Sequence, residues 1–206
     1  AFEKNNSNQS RIIAIDLNDE FEINLADPIE LTDNMWTNYL RGVLKQLKLK
    51  GFKVEGFNCV FSSTIPVGSG LSSSAALECG FLFGLNELFN LNIKPVDIAL
   101  MGQSAEHWVG INCGIMDQFS SVMGLENKVI KIDCRTLEYE YHNADFNDYS
   151  LILFDSNVKH TLMTSAYNER REQCEEGIAI VTNNFPEITS FRNCTEQHII
   201  ELKDVM

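Results

Sequence analysis

Three groups of residues in this 206-residue chain have the types and spacing of a reactive site. The densest is Pro66-Val67-Gly68-Ser69-Gly70-Leu71-Ser72-Ser73-Ser74-Ala75-Ala76, which sets two glycines and three consecutive hydroxyls in one short stretch. Glycine takes positive φ and lets backbone N–H groups approach a ligand, and the start of a helix carries partial positive charge. Such a loop suits a polyanion like a nucleotide triphosphate. The serines can cap the following helix and can offer oxygen to Mg²⁺. A plain Gly/Ser turn ending in an N-cap has the same composition, so the flanks carry the argument. Phe57, Cys59 and Phe61 alternate with Asn58, Val60 and Ser62 before the loop, and Ala75 to Phe89 reads as a long apolar helix after it. Two commoner nucleotide motifs are excluded. No lysine follows Gly70 as a P-loop requires, and Gly68-x-Gly70 lacks the third glycine and downstream acid of the dinucleotide fingerprint.

The second group is Ala105-Glu106-His107 with Cys113-Gly114-Ile115-Met116-Asp117-Gln118-Phe119. An aspartate near a triphosphate can accept or orient the proton of an attacking hydroxyl if a neighbouring cation holds it ionised. Asp117 also falls in the first turn of a predicted helix, where a negative charge is worth about 0.3–1 kcal/mol, so helix stability alone would account for it. Glu106 has the opposite placement. It falls near the carboxyl end of its predicted helix, where its charge is disfavoured and that of His107 is favoured, so a ligand role or a solvated surface position remains for it. The third group runs from Asp155-Ser156-Asn157-Val158-Lys159-His160 to Tyr167, Arg170-Arg171 and Gln173-Cys174-Glu175-Glu176. Taken alone, Tyr167 reads as a half-buried packing residue. The charges from Glu169 to Glu176 read as a solvated helix face on which Arg171 and Glu175 are spaced to pair.

The elements that must position these groups follow in an α+β order. Arg11 to Asp16 and Phe21 to Asn24 are predicted strands joined by a turn. Trp36, Tyr39, Leu40, Val43, Leu44 and Leu47 recur at helical spacing, which predicts an amphipathic helix from Asp33 to about Lys50 ended by Gly51. Pro95 at a first helical position opens a helix to Trp108. Further expectations are a helix near Ile115 to Val122, strands at Val129–Asp133, Glu138–His142 and Leu151–Phe154, and helices at Ser165–Val181 and Glu196–Lys203. The Asn/Asp-rich stretch Asn143 to Asp148 marks the expected domain junction. No internal repeat is visible.

Composition narrows the function. The chain is 44% hydrophobic and 22% charged, an ordinary globular balance for one to two domains. A net charge of −13 argues against nucleic acid and anionic membranes as partners, so an anionic nucleotide has to be held locally by backbone amides and metal. No apolar run approaches membrane-spanning length and the amino terminus lacks a signal-like apolar region, which predicts a cytoplasmic protein. The six cysteines are widely spaced, with no zinc-like grouping, and are expected to be reduced and largely buried. The four scattered histidines are expected to be structural.

The run Pro66 to Glu78, of the form P-x-G-x-G-L-S-S-S-A-A-L-E, resembles the second signature of the GHMP small-molecule kinases, in its galactokinase form. The second and third groups resemble the sugar and catalytic segment of those kinases and the stretch that opens their second half. The resemblance implies an α+β fold of two halves. The first is an ATP-binding half of the ribosomal-protein-S5 domain 2-like type, residues 1–145, and the second begins within residues 146–206. It implies ATP held by Pro66, Gly68, Ser69, Gly70, Leu71, Ser72, Ser73 and Ser74, Mg²⁺ held by Ser74 and Glu106, Asp117 as catalytic base, and galactose touched by Gly114, Asp117 and Tyr167. The implied reaction is phosphorylation of the anomeric hydroxyl of galactose. Alternatives are another sugar of the family such as N-acetylgalactosamine, or a regulatory module that binds sugar and ATP without turnover. The segment G-R-V-N-L-I-G-E-H-T-D-Y, which brings an arginine near the catalytic aspartate, and the glycine-rich third motif of the family do not occur in this sequence. That departure implies an interior piece of such a kinase, with little activity when isolated.

Overall fold

The computed structural model describes residues 1–66, 68–146, 148–150, 152–154 and 163–203, the side chains of residues 163–166 excepted. Strand β1 is Phe2–Lys4, β2 is Gln9–Ala14, β3 is Asp19–Asn24 and β4 is Phe57–Phe61. β2 and β3 form an antiparallel hairpin in register from Gln9 opposite Asn24 to Ala14 opposite Asp19. β4 lies parallel to β2 on its other side, with Ile12 opposite Cys59, and β1 adds antiparallel to β4. The resulting order is β1-β4-β2-β3. A parallel neighbour needs a crossover, and helix α1, Met35–Leu49, lies on that path between β3 and β4.

Alternation decides which face of the sheet is covered. Ser10, Ile12 and Ala14 are buried, whereas Arg11 points outward and pairs with Glu20. Ile12 of this set, with Ile23 of β3 and Phe57 and Cys59 of β4, joins Leu40, Val43, Leu44 and Leu47 of α1 in one apolar core. Helices α2, Ser73–Phe89, and α3, Pro95–Trp108, complete that core through Leu82, Leu85, Ile98 and Met101. The expected boundaries of these helices hold to within two residues. Gly51 at φ +79° follows the end of α1, Asn90 at φ +51° ends α2, and Pro95 opens α3.

Two glycines set how closely the helices approach. A Cβ on Gly42 would lie 2.8 Å from the Ala105 carbonyl oxygen, and one on Gly102 would lie 2.9 Å from Cys79 Sγ and 3.3 Å from Gln118 Cγ. The missing side chains let α1, α2 and α4, Met116–Met123, close on the face of α3 that carries Glu106. A second hairpin, β5 Lys128–Ile132 with β6 Tyr139–Asn143, packs Ile130 and Ile132 against Ala99, Ile115 and Phe119. The Tyr141 hydroxyl donates to the Met123 carbonyl at 2.7 Å, fixing the end of α4.

The chain divides into two compact units, residues 1–158 and 159–206. The second contains α5, Met163–Asn184, a short 3-10 turn at Phe191–Asn193 and α6, Glu196–Glu201, with Val181, Ile188 and Leu202 as its buried cluster. Arg171 and Glu175 pair at 2.6 Å on an exposed face of α5, as their spacing predicts.

Some expectations are corrected. Ile152–Phe154 form no strand, and Leu151, like Asp155–His160, lies outside the described residues. Only Cys59 and Cys79 are buried. Cys113 and Cys194 are half-buried, and Cys134 and Cys174 are exposed. No described helix is long and apolar enough to cross a membrane.

Candidate active site

The glycine and serine loop leaves β4 and enters α2 with an unusual backbone. Gly68, Gly70 and Ser72, every second residue, take φ of +74°, +77° and +57°. Left-handed residues spaced in this way turn successive N–H groups into a concavity that receives anions. The Ser69 hydroxyl donates to the Pro66 carbonyl at 2.8 Å and closes the turn. Ser72 stands at the N-cap without a side-chain cap bond, so the capping role expected of the serines is absent there. The left-handed conformation explains this, because an N-cap side chain reaches the first-turn N–H groups from extended backbone. With no acidic residue in the first turn either, the positive end of α2 is not neutralised by its own side chains.

Within the first turn of α2 the loop meets a buried carboxylate. The Ser74 hydroxyl donates to Glu106 Oε1 at 2.8 Å. Glu106 is 6% exposed in the last turn of α3, so the solvated-surface alternative falls. Its Oε2 accepts from Gln118 Nε2 at 2.5 Å and from Cys113 Sγ at 3.3 Å. The Cys113 carbonyl contacts His107 Nε2 at 2.8 Å and accepts from Gln103 Nε2 at 3.1 Å, pinning the α3–α4 connection back onto α3.

The surroundings of Glu106 are acidic. Glu78 of α2 is fully buried, and neither of its carboxyl oxygens has a hydrogen-bond partner among the described residues. Burial first, and then repulsion by Glu106, push its pKa from 4.5 up to about 10, so Glu78 is neutral near pH 7. Burial and then the Glu106 charge also raise the Tyr39 hydroxyl to about 12 and drive the Cys113 thiol up, keeping both protonated. No lysine or arginine pairs with Glu106 or Glu78 among the described residues. A site with oxygen donors and uncompensated negative charge calls for a cation. Ser74 and Glu106 supply two hard oxygens side by side, and no group of three or more ligating side chains occurs among the described residues. That donor set fits Mg²⁺, which takes one or two protein oxygens and completes its shell with water and phosphate.

Asp117 is half-buried in the first turn of α4, next to Gln118, with no hydrogen bond or ion pair among the described residues. Gly114 is exposed just ahead of that helix. Thus Ser74 and Glu106 are in contact, Asp117 is joined to them through the adjacent Gln118, and Pro66 to Ser73 lead directly into the Ser74 turn. Tyr167 is 43% exposed on α5 and belongs to the second unit.

Residues 38–125 match the model of the GHMP kinases N terminal domain. That stretch contains the loop, Glu106, Gly114 and Asp117. Over those residues the chain carries a GHMP kinases N terminal domain. It is 44% identical over 173 residues to the galactokinase of Limosilactobacillus reuteri (strain DSM 20016), covering 82% of this chain and 42% of that protein. It is 40% identical over 205 residues to the galactokinase of Clostridium acetobutylicum, covering 97% of this chain and 52% of that one. The fold superposes on Lactococcus lactis galactokinase complexed with galactose with a TM-score of 0.81 at 27% identity, over 100% of this chain and 54% of that one. The chain therefore spans about half the length of the galactokinases it matches.

In this chain the motifs concealed four members of the cluster. Gln118 and Cys113 stand inside the quoted second group and Glu78 closes the first, yet none shows its role by type alone. Gln118 and Glu78 carried a readable signal, because each interrupts an otherwise apolar helix face. Ile115, Phe119 and Val122 flank the first, and Ala75, Leu82 and Leu85 flank the second. Tyr39 had none, since it lies among the apolar positions of α1.

Proposed function

We propose that this chain serves transfer of the γ-phosphoryl group of ATP to the anomeric hydroxyl of galactose, giving galactose 1-phosphate and ADP. The observation that carries the reading is the Ser74–Glu106 pair directly behind a loop of alternating left-handed residues, at a helix start that its own side chains leave uncapped. Likeness to galactokinases at 44% and 40% identity supports the choice of sugar.

In this reading Pro66, Gly68, Ser69, Gly70, Leu71, Ser72, Ser73 and Ser74 bind the nucleotide, the phosphates lying against backbone N–H groups at the start of α2. Ser74 and Glu106 would hold Mg²⁺, which when bound neutralises charge on the β- and γ-phosphates. Asp117 receives or steers the proton of the anomeric hydroxyl as that oxygen attacks the γ-phosphorus in line. The bond from phosphorus to the β,γ-bridging oxygen breaks, and ADP leaves. Gly114 admits backbone close to the sugar, and Tyr167 hydrogen-bonds a sugar hydroxyl. Residues 1–145 act as the ATP-binding half and 146–206 as the start of the second, in a cytoplasmic protein.

The test is an assay of the protein expressed from its intact reading frame, with ATP and a panel of hexoses that includes galactose, glucose and N-acetylgalactosamine. Galactose-dependent release of ADP that requires Mg²⁺ is expected. Turnover of N-acetylgalactosamine in preference to galactose would replace the substrate, and no turnover with any sugar would overturn the reaction.

A further inference from the structure

Gln118 lies on the inward face of α4 and is fully buried, among Ile115, Phe119 and Val122. A buried amide costs stability unless its polar atoms are satisfied, and an apolar residue of similar length would fill such a place more cheaply. Gln118 is only half satisfied. Its Nε2 donates to Glu106 Oε2 at 2.5 Å and contacts Cys113 Sγ at 3.6 Å, whereas its Oε1 has no partner among the described residues. The Gln118 side chain also acts on the neighbouring Glu78, opposing the rise of its pKa, but its one close hydrogen bond is to Glu106.

That bond divides the two ends of the Glu106 carboxylate. Oε2 is occupied by Gln118 and Cys113, and Oε1 is left with the Ser74 hydroxyl. Removing the amide would free a flexible side chain to turn away from Ser74 or toward the buried Glu78 region. Gln118 also adjoins Asp117 in the chain. Its side chain therefore ties the helix that carries Asp117 to the carboxylate beside Ser74.

We propose that Gln118 is a positioning residue for phosphotransfer, its side-chain amide holding the Glu106 carboxylate in register with the Ser74 hydroxyl. The proposal rests on the reading of Ser74 and Glu106 as the metal-holding pair. It goes beyond that reading by assigning a function to a side chain that touches neither substrate nor metal. Partners that orient a metal ligand are commonly worth 10–100-fold in metal affinity.

The experiment measures equilibrium binding of Mg·ATP, without sugar, to the protein from its intact reading frame and to two variants, together with thermal melting and the KM values for Mg·ATP and galactose. Gln118→Met keeps the length and removes the donor. Gln118→Asn keeps the amide and withdraws it by one methylene. Both should weaken Mg·ATP binding by about tenfold or more, raise the Mg²⁺ concentration needed for half-maximal binding, and change the galactose KM less than about twofold. Melting of Gln118→Met should equal or exceed that of the parent. Unchanged Mg·ATP binding in either folded variant overturns the proposal, and loss of folding in both shows that Gln118 serves the fold instead. A parent that does not bind Mg·ATP at all would overturn the metal-holding reading itself, together with this one.

Discussion

α2 and α4 both begin after a polar loop containing glycine, and their first turns are built in opposite ways. At the start of α2 there is neither an acidic residue nor a side-chain cap, and the preceding backbone alternates into the left-handed region. At the start of α4 there is also no side-chain cap, but Asp117 places a carboxylate on the positive end of the helix. The difference separates two uses of one electrostatic feature. A helix start left without its own negative charge can receive a foreign anion, while one that carries an acid already offsets its positive end with its own carboxylate. Between them stands Glu106, at the unfavourable end of α3, where only a donor cluster from α2, α4 and the connection keeps it in place.

The largest expected effect comes from removing the charge at the start of α4. Asp117→Asn keeps the size and removes the proton acceptor, so kcat should fall by about 100-fold or more. Melting should move by less than the equivalent of about 1 kcal/mol, the whole of the dipole contribution. A variant with near-parental kcat would show that Asp117 only supports its helix, and the contrast between the two helix starts would collapse.

Next in size are changes behind the start of α2. Glu106→Gln and Ser74→Ala should raise the KM for Mg·ATP by about 10–100-fold, the size of a lost charge-assisted contact of about 1.5–3 kcal/mol, with a much smaller change for galactose. Nucleotide titrations that leave both variants unchanged would dissociate the pair from metal binding. Gly70→Ala should then weaken nucleotide binding by about five- to thirtyfold. A Cβ at Gly70 meets nothing within 4 Å, so the change isolates the cost of holding a side chain at φ +77°, about 1–2 kcal/mol. Equal nucleotide affinity would mean that the loop does not need its left-handed path.

The smallest effect on catalysis, and a clear one on stability, is expected at Glu78. Its folded pKa, raised from 4.5 to about 10, means that the fold favours the protonated form. The contribution is fully present below about pH 4.5, and it declines as the pH rises toward about 10, where the folded-state carboxyl itself ionises. Melting of the parent should therefore fall between pH 6 and pH 9, and Glu78→Gln, neutral throughout, should show a visibly flatter profile. Parallel profiles would mean that Glu78 is charged in the folded chain.

Legibility differed by element. α1 and α3 were readable nearly to their ends because each carries a periodic apolar face and a backbone signal, Gly51 in one case and Pro95 in the other. The stretch at Ile152–Phe154 misled for a simple reason: a run of apolar residues has the composition of a buried strand, but pairing depends on a neighbour that composition does not specify. At the site, residue type and helix electrostatics singled out Asp117 and Glu106 while leaving structural readings open for both, and the roles of Ser74, Glu106 and Asp117 rested on the resemblance to the GHMP kinases. Gln118 carried only the signal of a polar residue interrupting an apolar helix face, and its bond to Glu106 was decided by packing.

By itself the sequence determined the α+β order of elements, the glycine and serine loop ahead of α2 and the odd placement of Glu106 on α3. All of these are local properties, expressed by residues within a turn or two of one another. Only the tertiary structure decided that Glu106 is inside and meets Ser74, 32 positions away in the chain. The same holds for the parallel pairing of β2 with β4, the neutral state of Glu78 and the clamp from Gln118. Each depends on helices brought close by the absent side chains of Gly42 and Gly102, and on the loss of solvent that follows. Close approach and desolvation belong to the packed molecule, and no single segment contains them.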